Sequence, residues 1–269
     1  MFNFESGRAK GWVAALGLGL REHVAIVGGG GKTSLCFALA SELLGAGKHI
    51  ITTTTTQVWR KEAEFAPCVI FWTPDSLAVN RLKECLKEKG HIFVAERPLD
   101  SGKVKGISPE RADAFFQDLD VDYVITEADG AAGRPVKAPA AHEPVIPSSA
   151  TLVIALMGLE AMGMPLSPSV VFRSEMFKEL TGLDEGDTLT PTALSRVFLS
   201  PMGLFKGAPE TARKIAFLNK SDRLNPDPDA DDLARRLLQS PSGFIERVIV
   251  GSLLKSAYRV WMQDQRRMG

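Results

Sequence analysis

The run Gly28-Gly29-Gly30-Gly31-Lys32-Thr33-Ser34 constrains this chain more than any other feature. The apolar stretch at residues 23–27 precedes it. Leu35, Cys36, Leu39, Ala40, Leu43 and Leu44 follow at helical spacing until Gly45 and Gly47. A strand, a glycine turn and a helix in that order can wrap backbone round a phosphate. Glycines turn their N–H groups inward, and the helix N-terminus adds positive potential. Lys32 can reach β- and γ-phosphates, and the Thr33 hydroxyl can ligate Mg²⁺. Two positions depart from familiar versions of this loop. Ile26 stands where the common pattern has a further glycine, and Val27 where the loops of MinD and nitrogenase-type ATPases carry a second lysine.

The rest of the chain supplies a fold for such a loop. Further strands are expected at residues 48–53, 69–72, 92–95, 121–126, 151–156, 215–218 and 247–250, and helices at 77–88 and 109–118. Strands separated by helices predict an α/β fold, a mostly parallel sheet covered by helices on both faces. Length and 45% hydrophobic content suit one large domain or two small ones, and the glycine loop with its strand pattern makes the expectation a single nucleotide-binding domain over residues 1–269. The proline-rich, short-helix pattern of about 157–209 reads as a helical insertion, and 225–232 as a loop. Lys plus Arg and Asp plus Glu number 32 each, so no global field favours nucleic acid or an anionic membrane. No apolar run approaches the roughly 20 residues a membrane helix needs, and the N-terminus carries no signal-peptide pattern. Cys36, Cys68 and Cys85 give no disulfide framework and no paired metal-ligand spacing. A cytoplasmic protein is expected.

In open parallel sheets ligands gather beyond the carboxyl ends of the strands, so the segments following the strands carry the chemistry. Thr52 to Thr56 could turn a hydroxyl, Thr54 or Thr55, to a nucleotide or Mg²⁺. A buried strand end also favours threonine. Glu127-Ala128-Asp129-Gly130 offers a carboxylate, Glu127 or Asp129, to bind Mg²⁺ and orient an attacking water. Its Glu-x-x-Gly pattern resembles the third motif of the GTPases that serve metallocentre assembly. Asn219-Lys220-Ser221-Asp222 matches the Asn-Lys-x-Asp that reads guanine. Asp222 would accept from the guanine N1–H and amino group, which adenine does not present that way. Asn219 would tie this loop to the phosphate loop, and Lys220 would lie along the base. Gly251-Ser252 could add backbone contacts. The proline-stiffened loop 134–147 carries Arg134, Lys137, His142 and Glu143, a mixed-charge set suited to a second ligand near the γ-phosphate. Arg173 and Glu175 form a weaker case, since such a pair usually lies on a surface.

Taken together, Gly28–Ser34, Thr52–Thr56, residues 127–133 and 137–147, the stretch from Phe172 to Leu183, and residues 201–209 and 219–222 resemble the selenium-dependent hydroxylase accessory proteins, the YqeC family. The likeness runs over roughly residues 24–251. It implies a setting, maturation of a molybdenum hydroxylase with that enzyme or other maturation factors as partners. Three activities fit. A GTPase would hold Mg²⁺ and GTP with Lys32 and Thr33, use Glu127 or Asp129 on water, and read guanine with Asn219 and Asp222. A small-molecule kinase or ATPase would use ATP and hold an acceptor on Lys137, His142 and Glu143. A non-catalytic scaffold or cofactor carrier would bind nucleotide alone. Related GTPases often dimerise, so a homodimer is expected by analogy.

Overall fold

A computed structural model describes residues 3–7, 11–73, 77–224 and 228–262. Its strands are β1 (Asn3–Gly7), β2 (Glu22–Gly28), β3 (Ile50–Thr54), β4 (Gln57–Trp59), β5 (Val69–Phe71), β6 (His91–Ala95), β7 (Arg97–Pro98), β8 (Lys103–Lys105), β9 (Tyr123–Glu127), β10 (Val136–Lys137), β11 (Leu152–Gly158), β12 (Val171–Phe172), β13 (Arg213–Asn219), β14 (Arg247–Ser252) and β15 (Ala257–Met262). Its α-helices are α1 (Gly11–Leu16), α2 (Lys32–Gly45), α3 (Arg60–Ala63), α4 (Ala78–Lys89), α5 (Pro109–Asp118), α6 (Ser174–Thr181), α7 (Pro191–Leu199) and α8 (Pro228–Leu238).

Ten strands form one sheet in the order β1-β15-β14-β13-β11-β2-β9-β3-β6-β5. Only the pairs made by β15 are antiparallel; the others are parallel. Every residue of β2 and of β11 is buried, as interior strands of a sheet covered on both faces must be. Alternation along β2 divides the core. Val24 and Ile26 meet Leu35 and Leu39 of α2 on one face. Ala25 and Val27 join Phe177, Phe198 and Leu237 of α6, α7 and α8 on the other. The helices of segment 157–209 therefore cover the second face of the sheet.

Local chemistry sets the boundaries. Ser108 and Thr190 cap α5 and α7 through side-chain acceptance from Arg111 and Ala193, each with proline directly after the cap. The chain leaves α2 through Gly47 at φ +74°. Two sequence expectations need correction. Residues 225–227 of the expected loop lie outside the described residues, and from Pro228 the chain is helical, with Asp229 and Asp231 in the first turn of α8. Cys68, directly before β5, and Cys85 of α4 pair as a disulfide although 17 residues apart in sequence. Cys36 is free and buried. Among the described residues no helix is long and apolar enough to cross a membrane.

Candidate functional site

The glycine loop leaves β2 between β11 and β9 and enters α2. Gly28, Gly30 and Gly31 have φ of +96°, +77° and +125°. A Cβ at Gly28 would stand 2.1 Å from the Leu156 carbonyl oxygen, so glycine is obligatory there. The first three N–H groups of the loop are held by protein acceptors. Gly28 donates to Asp129 at 2.9 Å, Gly29 to Leu156 O at 3.0 Å and Gly30 to Arg134 O at 3.1 Å. Gly28 and Gly29 accordingly lie outside the cavity lining, whereas Gly30 to Ser34 line it. The N–H groups of Lys32, Thr33 and Ser34 open α2 and have no carbonyl ahead of them in that helix. They are the donors this loop offers an anion.

Lys32 lies buried across the loop, donating to Gly28 O at 2.7 Å, 3.3 Å from Asp129 and 3.5 Å from Glu127. Burial works against its charge, but Asp129 and Glu127 outweigh it and raise its pKa above that of an ordinary lysine. Thr33 donates to Glu127 Oε2 at 2.9 Å. Burial pushes Glu127 up from the usual glutamate range, against Lys32 and Thr33. Glu127 lines the cavity; Asp129 is fully buried and does not. The two carboxylates thus separate: Glu127 faces the cavity, and Asp129 braces the loop from behind.

Asp129 begins a chain of buried charges. Lys137, 1% exposed, lies 3.1 Å from Asp129 Oδ2 and donates to Glu143 Oε2 at 2.5 Å and Gly130 O at 2.7 Å. Arg173 grips both oxygens of Glu143. Burial alone would raise the Glu143 pKa, but Arg173 and Lys137 hold it below the usual range. The sequence placed Lys137 and Glu143 in one loop; their linkage to Asp129, and Arg173 as their partner, arise in the fold. Arg134 lines the cavity while donating to Ala132 O and Pro168 O. His142 is exposed and stands outside the cavity lining.

The Asn219 motif behaves differently. Asn219 donates to Gly30 O at 2.8 Å and accepts from Leu253 N at 3.1 Å, tying the glycine loop to the turn after β14. Lys220 has φ +64°, pairs with Glu160 and lines the cavity. Asp222 is exposed and outside that lining, and a hydrogen bond from Ser252 holds its pKa below the usual aspartate value.

The threonine run is mostly structural. Thr53 donates to Val94 O, Thr54 to Glu127 O and Thr55 to Val145 O. Of the run, Thr56 lines the cavity, rather than Thr54 or Thr55. The cavity itself holds about 520 Å³. Sequence reasoning missed its far wall: Trp59 from β4, Glu62 from α3, Lys103 from β8 and Phe172 from β12. These residues lie in elements too short to leave a periodic signal.

The family model described as YqeC protein matches residues 24–175, which excludes the Asn219 motif. The "Uncharacterized protein YqeC" of Escherichia coli (strain K12) is 37% identical over 197 residues, covering 73% of this chain and 75% of the relative. Among solved structures, that of chloroplast FtsY from Physcomitrella patens aligns at 13% identity with a TM-score of 0.41, covering 93% of this chain and 65% of the other, and bears on neither fold nor function at that score. The family match over more than half the chain and the relative at 37% identity agree: the chain belongs to the YqeC family.

Proposed function

We propose that this protein binds GTP with Mg²⁺ and hydrolyses it slowly, as a cytoplasmic maturation factor for a molybdenum hydroxylase. The observation that carries nucleotide binding is the cluster of Lys32, Thr33 and Glu127 in front of the free N–H groups of α2. A triphosphate arriving there would take Lys32 from its carboxylates. The Thr33 hydroxyl and Glu127 supply oxygen donors facing one another, a set that fits a cation sharing phosphate oxygens and water. Thr33 and Glu127 would hold Mg²⁺ there, and its charge would offset that of the phosphates. Glu127 orients the attacking water, and Asp129 keeps the loop in shape as a positioning residue. The hydrogen bonds of Asn219 support guanine recognition, since they join the base loop to Gly30 as that role requires. The molybdenum-hydroxylase setting, the client and a homodimer rest on the resemblance alone.

Phosphoryl transfer to a small acceptor is the second reading, favoured by a cavity that continues past the phosphate loop to Trp59 and Lys103. Nucleotide selectivity separates the two. Thermal shift and calorimetry with GTP, GDP, ATP and ADP plus Mg²⁺ should show stabilisation by guanine nucleotides, about 2.7 kcal/mol at a hundred times the dissociation constant. Asp222→Ala should abolish the preference. Equal stabilisation by ATP, unchanged in the variant, would remove the guanine assignment and put the kinase or ATPase first.

A further inference from the structure

The cavity extends past the residues that the nucleotide reading uses. The base loops follow β13 and β14, so base and ribose belong on the side of Lys220, with phosphates over the start of α2. The opposite wall follows β3 and β9 across the sheet. It is built from Trp59, Glu62, Lys103, Arg134, Phe172 and Arg173, and the nucleotide chemistry calls on none of them.

That wall pairs cations with rings, an exposed one at Trp59 and a half-buried one at Phe172. Lys103 Nζ sits 5.1 Å from the Trp59 ring centre, and the Arg173 guanidinium 4.9 Å from that of Phe172. Trp59 is 47% exposed although it fronts a concave site, a surface a flat ligand could cover. Among the described residues no carboxylate pairs with Lys103. Arg173 is fixed in direction. Its backbone lies at φ 62°, ψ 56°, a conformation a non-glycine residue adopts only at a cost. Glu143 takes one N–H from each terminal nitrogen, leaving the other donors of the fork. Glu62 accepts from the Trp59 N–H at 3.1 Å and so sets the backbone that presents the indole.

We propose that this wall is a second-ligand subsite for a small anionic molecule with a planar ring. Its ring lies on Trp59 and its anionic group meets Lys103 and Arg173, on the side of the phosphate loop where a terminal phosphate would stand. The inference rests on the nucleotide reading for its orientation. Its test is calorimetry of the full chain saturated with Mg²⁺ and a non-hydrolysable GTP analogue, titrated with phenyl phosphate, inorganic phosphate and phenol. Phenyl phosphate should bind about tenfold more tightly than either fragment, since only it engages ring and cations together. Lys103→Met and Trp59→Leu should each weaken it about fivefold or more while leaving nucleotide affinity unchanged. Absence of phenyl phosphate binding, equal binding by both variants, or displacement of the nucleotide analogue would overturn the subsite. If no nucleotide binds the wild type, the nucleotide reading fails instead. Phenyl phosphate titrated into nucleotide-free wild type and the same two variants then decides the subsite by the same criteria.

Discussion

Two corners of the same sheet edge are built on opposite plans. At the phosphate corner, Lys32, Asp129, Lys137 and Glu143 are all buried and bonded to one another and to the loop backbone. At the base corner, Asp222 is exposed, and Asn219 is the side chain that ties its loop to Gly30. The first corner cannot change without disturbing the fold, because removing one buried charge strands its partners. The second can change freely, since an exposed carboxylate loses little when truncated. Stability and ligand binding should therefore be entangled at one corner and separable at the other.

The largest effect should come from Asp129→Ala. It leaves Lys137 and Lys32 short of a carboxylate and Gly28 N–H without its acceptor. A loss of about 3–5 kcal/mol in urea unfolding is expected. Wild-type stability in this variant would mean the buried chain is not the brace described.

Acid should act most strongly on two histidines at the amino ends of the strands. Burial lowers His23 from 6.5 to about 4, against Asp113, and lowers His91 equally. Both stand at the amino ends of their strands, away from the site. A histidine with a depressed folded pKa binds fewer protons than in the unfolded chain between those values. Stability is thus complete above pH 6.5 and falls as pH drops toward 4, by on the order of 3 kcal/mol for each group. A nucleotide at the proposed site would lie at the other end of the strands, so this histidine-linked loss should persist in its presence, and any difference between the two curves reports Glu127, whose pKa burial raises. A slope that vanishes on nucleotide binding would place the titration at the phosphate corner instead.

Asp222→Ala gives the converse of Asp129→Ala. Unfolding stability should stay within about 0.5 kcal/mol of wild type, while guanine preference falls by roughly 10- to 100-fold. A destabilised Asp222→Ala would erase the contrast between the corners.

The strand, glycine turn and helix at residues 22–45 are legible because all their parts are adjacent in sequence, and so are the strand ends that carry Glu127 and Asn219. Lys137 and Glu143 were legible as a polar set within one stiff loop, but not as a buried chain, since nothing local says that Asp129 will lie between Lys32 and Lys137. Arg173 looked like a surface pair with Glu175; its partner is Glu143, thirty residues away, and a left-handed backbone at arginine has no sequence signature. For α8 the signal lies in the sequence but is masked by composition. Pro228 with Asp229 and Asp231 resembles a loop by composition, yet proline at the first position and acids in the first turn start a helix. Strands such as β7, β10 and β12, at two residues each, exist only through tertiary pairing.

The threonine run carries the smallest test and repeats the contrast within adjacent residues. Thr55 donates to Val145 O at 2.8 Å and so fastens the end of β3 to the loop that holds Glu143. Thr56 lines the cavity, and its hydroxyl meets Thr54 at 3.2 Å. Thr55→Val removes one hydrogen bond to a carbonyl and should cost about 1 kcal/mol of stability, with nucleotide affinity unchanged. Thr56→Val should barely move the unfolding midpoint and should act on ligand binding, read by calorimetry with Mg²⁺ and nucleotide. If instead Thr55→Val alters affinity and Thr56→Val does not, the switch-like hydroxyl lies one residue earlier than the cavity lining indicates, and the loop at residues 134–147 moves when nucleotide binds.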